Sequence, residues 1–577
     1  MSYKIEELKL IEYEDYNQIN LLDLSEEEKL IVDPIVPPTS GLRIQLFEEL
    51  DEPDSYSLPN TKLLLYLRVA KAISMKYKEL FDENNPKILI VSDSRPSSNY
   101  LVRICSQIFA YDGFDIYFQR NGDTNSLMSS PYASASVALY DDINLVLMVT
   151  ASHNSFDWNG LKFYIQYPIP ISGDLMKQIS KIALSLKEIK LKKEFRITRI
   201  DAEQKNNEYI KSLLSRIIEI KALKGEKIVI WPYLGKARGI VNLYKELGAD
   251  VTLIEESINP PNPIKVVKRE KLIRTMESTG SKMAILLDAD RDRLAFFLKE
   301  AGGYDLYIPN ELFSAMHNLL AKEFNKSIIN IRTIPSDYRG DHTSLLNIVT
   351  GVGYKHLGII LYFLVGVSVD KSKVDTGILY IEEGSGYRKI SDPKPLKDRI
   401  INIIKEKGIS LPHDFILVLW EESGGHTINV LTIEEDNGIY RFKSEFPLIA
   451  DKYPVPALVI LSELIARGFK ISEAIDWTKK GINSTISASD KEKIKIMKNF
   501  EKNDNKEVQL GEHSYRISSF SDNTDMIDIF QLKRDKATLY FRPSGTGPDV
   551  RFYIFGDKET HEEEINEVMK IVKKKYS

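Results

Sequence analysis

Three aspartates stand at alternate positions in Ala284-Ile-Leu-Leu-Asp288-Ala-Asp290-Arg-Asp292-Arg293, directly behind an apolar run. Like charges this close repel unless a cation lies among them, and hard carboxylate oxygens on a short loop suit Mg²⁺. The alternative is a solvated turn in which Arg291 and Arg293 neutralise the acids. The apolar run ahead and Leu294-Ala-Phe-Phe297 behind argue against a casual surface turn, and the spacing does not fit an EF-hand loop. A second segment, Asn144-Leu-Val-Leu-Met-Val-Thr-Ala-Ser-His-Asn154 with Asn159-Gly-Leu-Lys162, places Ser152 on a turn after a strand, beside His153 and Lys162. A serine hydroxyl is a weak nucleophile or phosphoryl acceptor until a base or metal assists it. Read alone, the same residues also make a helix-capping turn.

Two further segments suit a polar ligand. Phe415-Ile-Leu-Val-Leu-Trp420-Glu-Glu-Ser-Gly-Gly-His426 puts Glu421 and Ser423 on a glycine-rich loop able to hold vicinal sugar hydroxyls. A near-copy, Glu382-Glu-Gly-Ser-Gly-Tyr387, shows how common that composition is. Leu539-Tyr-Phe-Arg542-Pro-Ser-Gly-Thr-Gly-Pro548, with Arg551 beyond, combines arginines, hydroxyls and a glycine turn into a nest for an anion, or else forms a simple hairpin.

These loops need strands to hold them, and ligands of α/β sheets collect at the carboxyl ends of strands. The order strand, turn, helix, Gly, strand occurs from Lys87 to Phe118 and again from Lys227 to Ile254, with a fainter copy from Ser327 to Lys355. It predicts an α/β fold of three similar α/β domains with mixed sheets. Asp201 to Ile220 reads as a linker helix, and Leu357 to Val369 as a buried helix or strand too short for the ~20 residues of a bilayer span. The last hundred or so residues alternate differently and predict a smaller C-terminal α+β domain. The expected divisions are 1–205 with the serine loop, 206–325 with the acidic loop, 326–475 with the glycine-rich loop, and 476–577 with the anion nest.

Net charge is −5 over 577 residues, which gives no whole-molecule reason for a nucleic-acid or membrane partner. One cysteine, Cys105, excludes an internal disulfide and fits a reducing, cytoplasmic setting. Met1 to Tyr16 is rich in Lys and Glu and carries no apolar signal core.

Taken together and in order, TASHNS…NGLK, DADRDR, WEESGGH and RPSGTGP resemble the signature segments of the α-D-phosphohexomutase superfamily, from about Pro37 to the C-terminus. Thr39-Ser-Gly-Leu-Arg43, Asp93-Ser-Arg-Pro-Ser-Ser98 and Thr350-Gly-Val-Gly-Tyr-Lys355 add to the match. The resemblance implies four domains around a central cleft and an intramolecular phosphotransferase with one Mg²⁺ per chain and a sugar 1,6-bisphosphate as activator. It implies that Ser152 is the phosphoserine, and that Ser152, Asp288, Asp290 and Asp292 hold the metal. Arg43, Lys162 and Arg293 would line the reaction centre, with Lys162 and then His153 as proton carriers. Glu421 and Ser423 would grip the sugar, Arg542, Ser544, Gly545, Thr546 and Arg551 the distal phosphate, and Lys355 would lie on another substrate-facing loop.

The sequence departs from the family pattern at Ser155, where Pro is usual, and at Trp420, expected to narrow the pocket in place of Gly. Gly547 replaces Glu, and Asp549 replaces a common basic residue, which weakens phosphate attraction. The stretch from Gly358 to His413 reads as an insertion. If Glu382–Tyr387 were the sugar loop, its spacing from Lys355 would fit better, whereas the strand and fuller motif favour Glu421. The expected activity is exchange of hexose 1-phosphate and 6-phosphate, with glucose or mannose as the sugar, by a monomer or homodimer. A phosphopentomutase, phosphoglucosamine mutase or sugar-bisphosphate synthase of the same family is one alternative, and a family member repurposed as a non-catalytic binding or structural protein is the alternative of a different class. Retention of Ser152 and all three aspartates speaks against the last.

Overall fold

The structure is a computed structural model, and it describes residues 17–33, 41–49, 56–57, 60–120, 125–171, 173–264, 266–300, 302–367, 379–383, 386–390, 394–475, 479–521, 527–534, 537–543, 549–557 and 561–576. Four large sheets follow one another along the chain. The first three share one plan. Each has a first strand flanked by the second and third, both parallel to it, and a fourth strand antiparallel to the third.

In the first sheet those strands are Lys87–Ser92, Asp115–Gln119, Leu145–Val149 and Trp158–Ile165. In the second they are Lys227–Pro232, Asp250–Leu253, Met283–Leu287 and Leu294–Glu300. In the third they are Ser327–Thr333, Leu346–Thr350, His413–Trp420 and His426–Asp436. Leu145–Val149 and Met283–Leu287 are buried along their whole length, as parallel strands covered on both faces should be.

Connections follow from local chemistry. The helices Ser98–Tyr111 and Arg238–Glu246 are each followed by a glycine with positive φ, Gly113 at 86° and Gly248 at 89°, which turns the chain into the next strand. The third copy differs: its crossover carries only the short 3-10 turn Asp341–Thr343, which is why its signature is faint. Part of the stretch read as an insertion forms a hairpin, Leu379–Glu383 with Gly386–Ile390, added to the outer edge of the third sheet. The apolar run after Lys355 is the helix Tyr354–Leu364, with Leu357, Ile360, Leu361 and Leu364 buried. The fourth sheet is antiparallel throughout and packs Phe530, Phe541 and Phe552 in a stacked row against Phe500.

One apolar core runs through the first three units. Val91 and Tyr132 of the first, Ile230 and Phe296 of the second, and Trp420 and Leu458 of the third belong to it, with Ile210 of the connecting helix Ala202–Ile217. Glu463, on the helix Val455–Ala466, accepts the backbone N–H groups of Lys221, Ala222 and Leu223 at 3.0, 3.0 and 3.1 Å. Among the described residues no helix is long and apolar enough to cross a membrane.

Candidate active site

The common plan has a chemical result. In each of the first three units the segment between the third and fourth strands carries one motif: Ser152, then Asp288 to Asp292, then Glu421 to Gly425. Three homologous corners therefore face one region.

Ser152 is buried and takes a left-handed backbone, φ 53°. Its N–H donates to Thr150 Oγ1 at 2.9 Å, and its Oγ donates to Asp288 Oδ2 at 3.2 Å. His153 Nδ1 lies 3.5 Å from the same oxygen. Burial, then the charges of Arg293, Arg43 and Arg551, hold the His153 imidazole well below its usual range. Phe156, Leu234 and Ala289 pack together and tie the serine loop to the acidic loop.

Asp288, Asp290 and Asp292 are all buried, and one oxygen from each lies within 4.8 Å of the others. Burial and then the neighbouring Asp290 and Asp292 raise the Asp288 carboxyl well above the ordinary range. Asp288 Oδ1 accepts the Arg293 N–H at 3.2 Å. Lys162 Nζ donates to Asp290 Oδ2 at 2.7 Å, to Asp292 Oδ2 at 3.1 Å and to Ser130 Oγ at 3.1 Å. Asp290 Oδ1 and Asp292 Oδ1 remain buried with no hydrogen-bond partner. Three converging hard oxygen donors with two such acceptors fit a divalent cation such as Mg²⁺. Burial alone would lower the Lys162 ammonium, but Asp290 and Asp292 reverse the direction and raise it. Arg43 pairs across the sheet with Gly160, and burial followed by Arg293 lowers its guanidinium.

Glu421 receives a hydrogen bond from Ser423 Oγ and an ion pair from Lys452 Nζ at 2.6 Å. Burial opposes ionisation of Glu421, but Lys452 outweighs it and the carboxyl is lowered. A β-carbon added at Gly424, φ 111°, would lie only 3.3 Å from Arg293 Cα, so the loop packs closely on the acidic corner. The hairpin bearing Glu382 and Tyr387 lies at the sheet's outer edge, separated from His413–Trp420 by the two strands Leu346–Thr350 and Ser327–Thr333. Trp420 does not narrow a cleft: it is 1% exposed, its indole donates to Asn330 Oδ1 at 2.8 Å, and its ring meets Phe313 and His317. The strand is covered on both faces, and Trp420 shares one of them with Ile416 and Val418 while Leu417 and Leu419 fill the other. His317 and His426 lie Nε2 to Nε2 at 3.0 Å behind the loop.

Arg542 and Arg551 are directly opposite each other on neighbouring strands, a repulsive pair unless an anion lies near. Arg551 Nε reaches Asp549 Oδ2 at 3.3 Å. Burial, then Glu421, raises the Glu422 carboxyl, while Arg542 opposes the shift; Thr333 Oγ1 donates to Glu422 Oε2 at 3.0 Å. Ser544, Gly545, Thr546 and Gly547 lie outside the described residues, as does the Lys355 side chain. Motif reading missed Lys452 and His317, and it gave no role to Arg95 and His426, which stand inside quoted segments; the signal for all four is contact across elements.

Residues 58–190 match the family described as phosphoglucomutase/phosphomannomutase, alpha/beta/alpha domain I. A phosphoglucosamine mutase of Caldicellulosiruptor saccharolyticus is 27% identical over 236 residues, 39% of this chain and 49% of the relative. The chain thus spans about half the length of the curated relatives it matches at this level. A phosphoglucomutase of Staphylococcus haemolyticus is 23% identical over 520 residues, 84% of this chain and 85% of the relative. The open-form crystal structure of Paramecium pp63/parafusin, a phosphoglucomutase, superposes with a TM-score of 0.57 at 14% identity, covering 96% of each chain. That likeness shows a shared fold. Residues 58–190 thus resemble one domain of the phosphoglucomutase/phosphomannomutase family in sequence, and the chain as a whole shares its fold with the Paramecium phosphoglucomutase.

Proposed function

We propose that the chain is a phosphohexomutase that interconverts hexose 1-phosphate and hexose 6-phosphate through phosphorylated Ser152 and a bisphosphorylated sugar, with glucose or mannose as the hexose. One observation carries the reading: a buried serine hydroxyl from the first sheet lies 3.2 Å from a carboxylate of the acidic triad carried by the second.

Phosphoryl transfer depends chiefly on positioning and charge neutralisation. Bound at Asp288, Asp290 and Asp292, Mg²⁺ supplies charge neutralisation at the serine-borne phosphate and makes the serine oxygen a better leaving group. Glu421 and Ser423 hold sugar hydroxyls, and Arg542 and Arg551 hold the phosphate that does not react. Arg43 and Arg293 offset negative charge beside Ser152. A sugar hydroxyl attacks the serine-borne phosphorus as the bond to Ser152 Oγ breaks, and its proton leaves to the His153 imidazole, which burial keeps neutral; Lys162, held as an ammonium by Asp290 and Asp292, takes that role only after giving up its own proton. The bisphosphorylated sugar turns over in the cleft and returns its other phosphoryl group to Ser152.

The first relatives named are phosphoglucosamine mutases, which supports an amino sugar as the second reading. The purified protein, assayed with Mg²⁺ and a trace of sugar bisphosphate against glucose, mannose and glucosamine phosphates, separates the two. Ser152→Ala should lose nearly all turnover, and normal turnover in that variant would sink the serine assignment. Asp290→Asn should weaken the Mg²⁺ requirement or the rate. An unchanged Mg²⁺ titration at an unchanged rate would count against the acidic corner.

A further inference from the structure

A left-handed backbone at a non-glycine residue is strained, so Ser152, at φ 53°, must be held from outside. Arg95 is 2% exposed and sits in the turn after the first strand of the first sheet. Its two terminal nitrogens donate to four backbone carbonyls of the serine loop. These are Ser152 O at 2.5 Å and Asn154 O at 2.7 Å from one nitrogen, and Ser155 O at 2.5 Å and Trp158 O at 3.1 Å from the other. Nε donates to Asp93 Oδ2 at 3.1 Å. All five N–H bonds of the guanidinium are therefore used.

Asp93 continues the arrangement. It is fully buried and accepts the Arg95 backbone N–H at 3.0 Å, Ser98 Oγ at 2.9 Å and Thr150 Oγ1 at 2.7 Å. Thr150 Oγ1 in turn accepts the Ser152 N–H. The serine is gripped at its carbonyl by Arg95 and at its amide through Thr150 and Asp93. The same Asp-x-Arg pairing recurs in the third unit, where Arg339 donates from its backbone N and its Nε to Asp337 at 2.9 and 2.7 Å. The pairing thus occurs in the first and third units but not in the turn of the second, Tyr233–Ala237, and the first unit applies it to the loop that bears Ser152.

We propose that Arg95, braced by Asp93, is the positioning residue that fixes the serine loop and aims Ser152 Oγ at the acidic corner. The proposal rests on the phosphoserine reading for its consequence, not for its geometry. Lysine cannot replace this arginine, because one ammonium with three donors cannot serve four carbonyls and a carboxylate at once.

The test is Arg95→Lys in the full chain, read two ways. Hydrogen exchange followed by mass spectrometry should show faster exchange in peptides covering residues 150–158, with peptides from the other sheets unchanged. Turnover per folded molecule should fall by about 100-fold, the scale of a 1 Å misplacement, in kcat with little change in KM. Serine-loop exchange equal to wild type, or kcat within about threefold of wild type, overturns the proposal; a purely structural arginine would lower Tm and leave kcat per folded molecule alone. If that variant does not fold, Thr150→Val cuts the relay to the Ser152 N–H and should move both readouts the same way by less; no movement in either overturns the proposal. A wild-type protein with no mutase turnover refutes the proposed function instead, and the exchange arm then decides on Arg95 alone.

Discussion

His317 and His426 share one short contact, so one ring donates and the other accepts, and the two cannot both be protonated. Burial pushes His317 down to about 3, and burial followed by His317 holds His426 well below its usual range. Unfolded histidines titrate near 6.5. Between those values the unfolded chain binds more protons, so this contribution to stability is lost as pH falls from about 6.5 toward 3. His317→Gln should therefore lose less stability than wild type between pH 6.5 and 5, by about 2 kcal/mol. Urea unfolding of both proteins at the two pH values measures that difference, and equal losses would refute it. Comparing the two proteins removes Asp451, raised to about 6 by burial, which acts in the opposite direction. At this scale the sequence was most informative where chemistry is local. Ser152 and the three aspartates lie within short motifs, whereas Lys452 meets Glu421, and His317 meets His426, only after strands and helices far apart in the chain have packed.

Strands, helices and turns set where those side chains can go. The strand Trp158–Ile165 lies between Leu145–Val149 and Leu42–Gln45, and Gly160 stands opposite Arg43 on one side and bonds Thr150 on the other. A β-carbon there would lie 2.3 Å from Thr150 O and 2.6 Å from Leu42 O, both backbone atoms with no rotamer to escape into. Gly160→Ala should cost about 1–3 kcal/mol and also disturb the Thr150 N–H bond to Gly160 O. An unchanged denaturation midpoint would show that the strands can part at no cost. The two clear repeats were readable because each helix ends in a glycine and each strand is a dense apolar run. The third was dim because its crossover holds no full helix. Trp420 was misjudged for a related reason: the apolar run says that a strand is buried, but not that Phe313 and His317 of a distant helix extend the cover over its final residue.

Across the whole molecule, composition predicted several cores, and the structure joins three units through one of them. No local pattern announces that Glu463 caps three amides near the start of the second sheet, since that partnership exists only in the assembled fold. Charge is the remaining global property. The chain is net negative at −5, so attraction for a sugar phosphate must come from a few arginines. One of them, Arg551, already has Asp549 beside it. Loading a phosphate onto Arg551 is then an ion exchange, with one anion released as another arrives. Asp549→Asn should remove the competitor and tighten sugar-phosphate binding by up to about fivefold, the reach of a partly exposed ion pair. Calorimetric titration would read it, and an unaltered dissociation constant would mean that the carboxylate never competes. A resident counter-ion of this kind trades affinity for easier release, which suits an enzyme whose bound sugar must let go of one end before presenting the other.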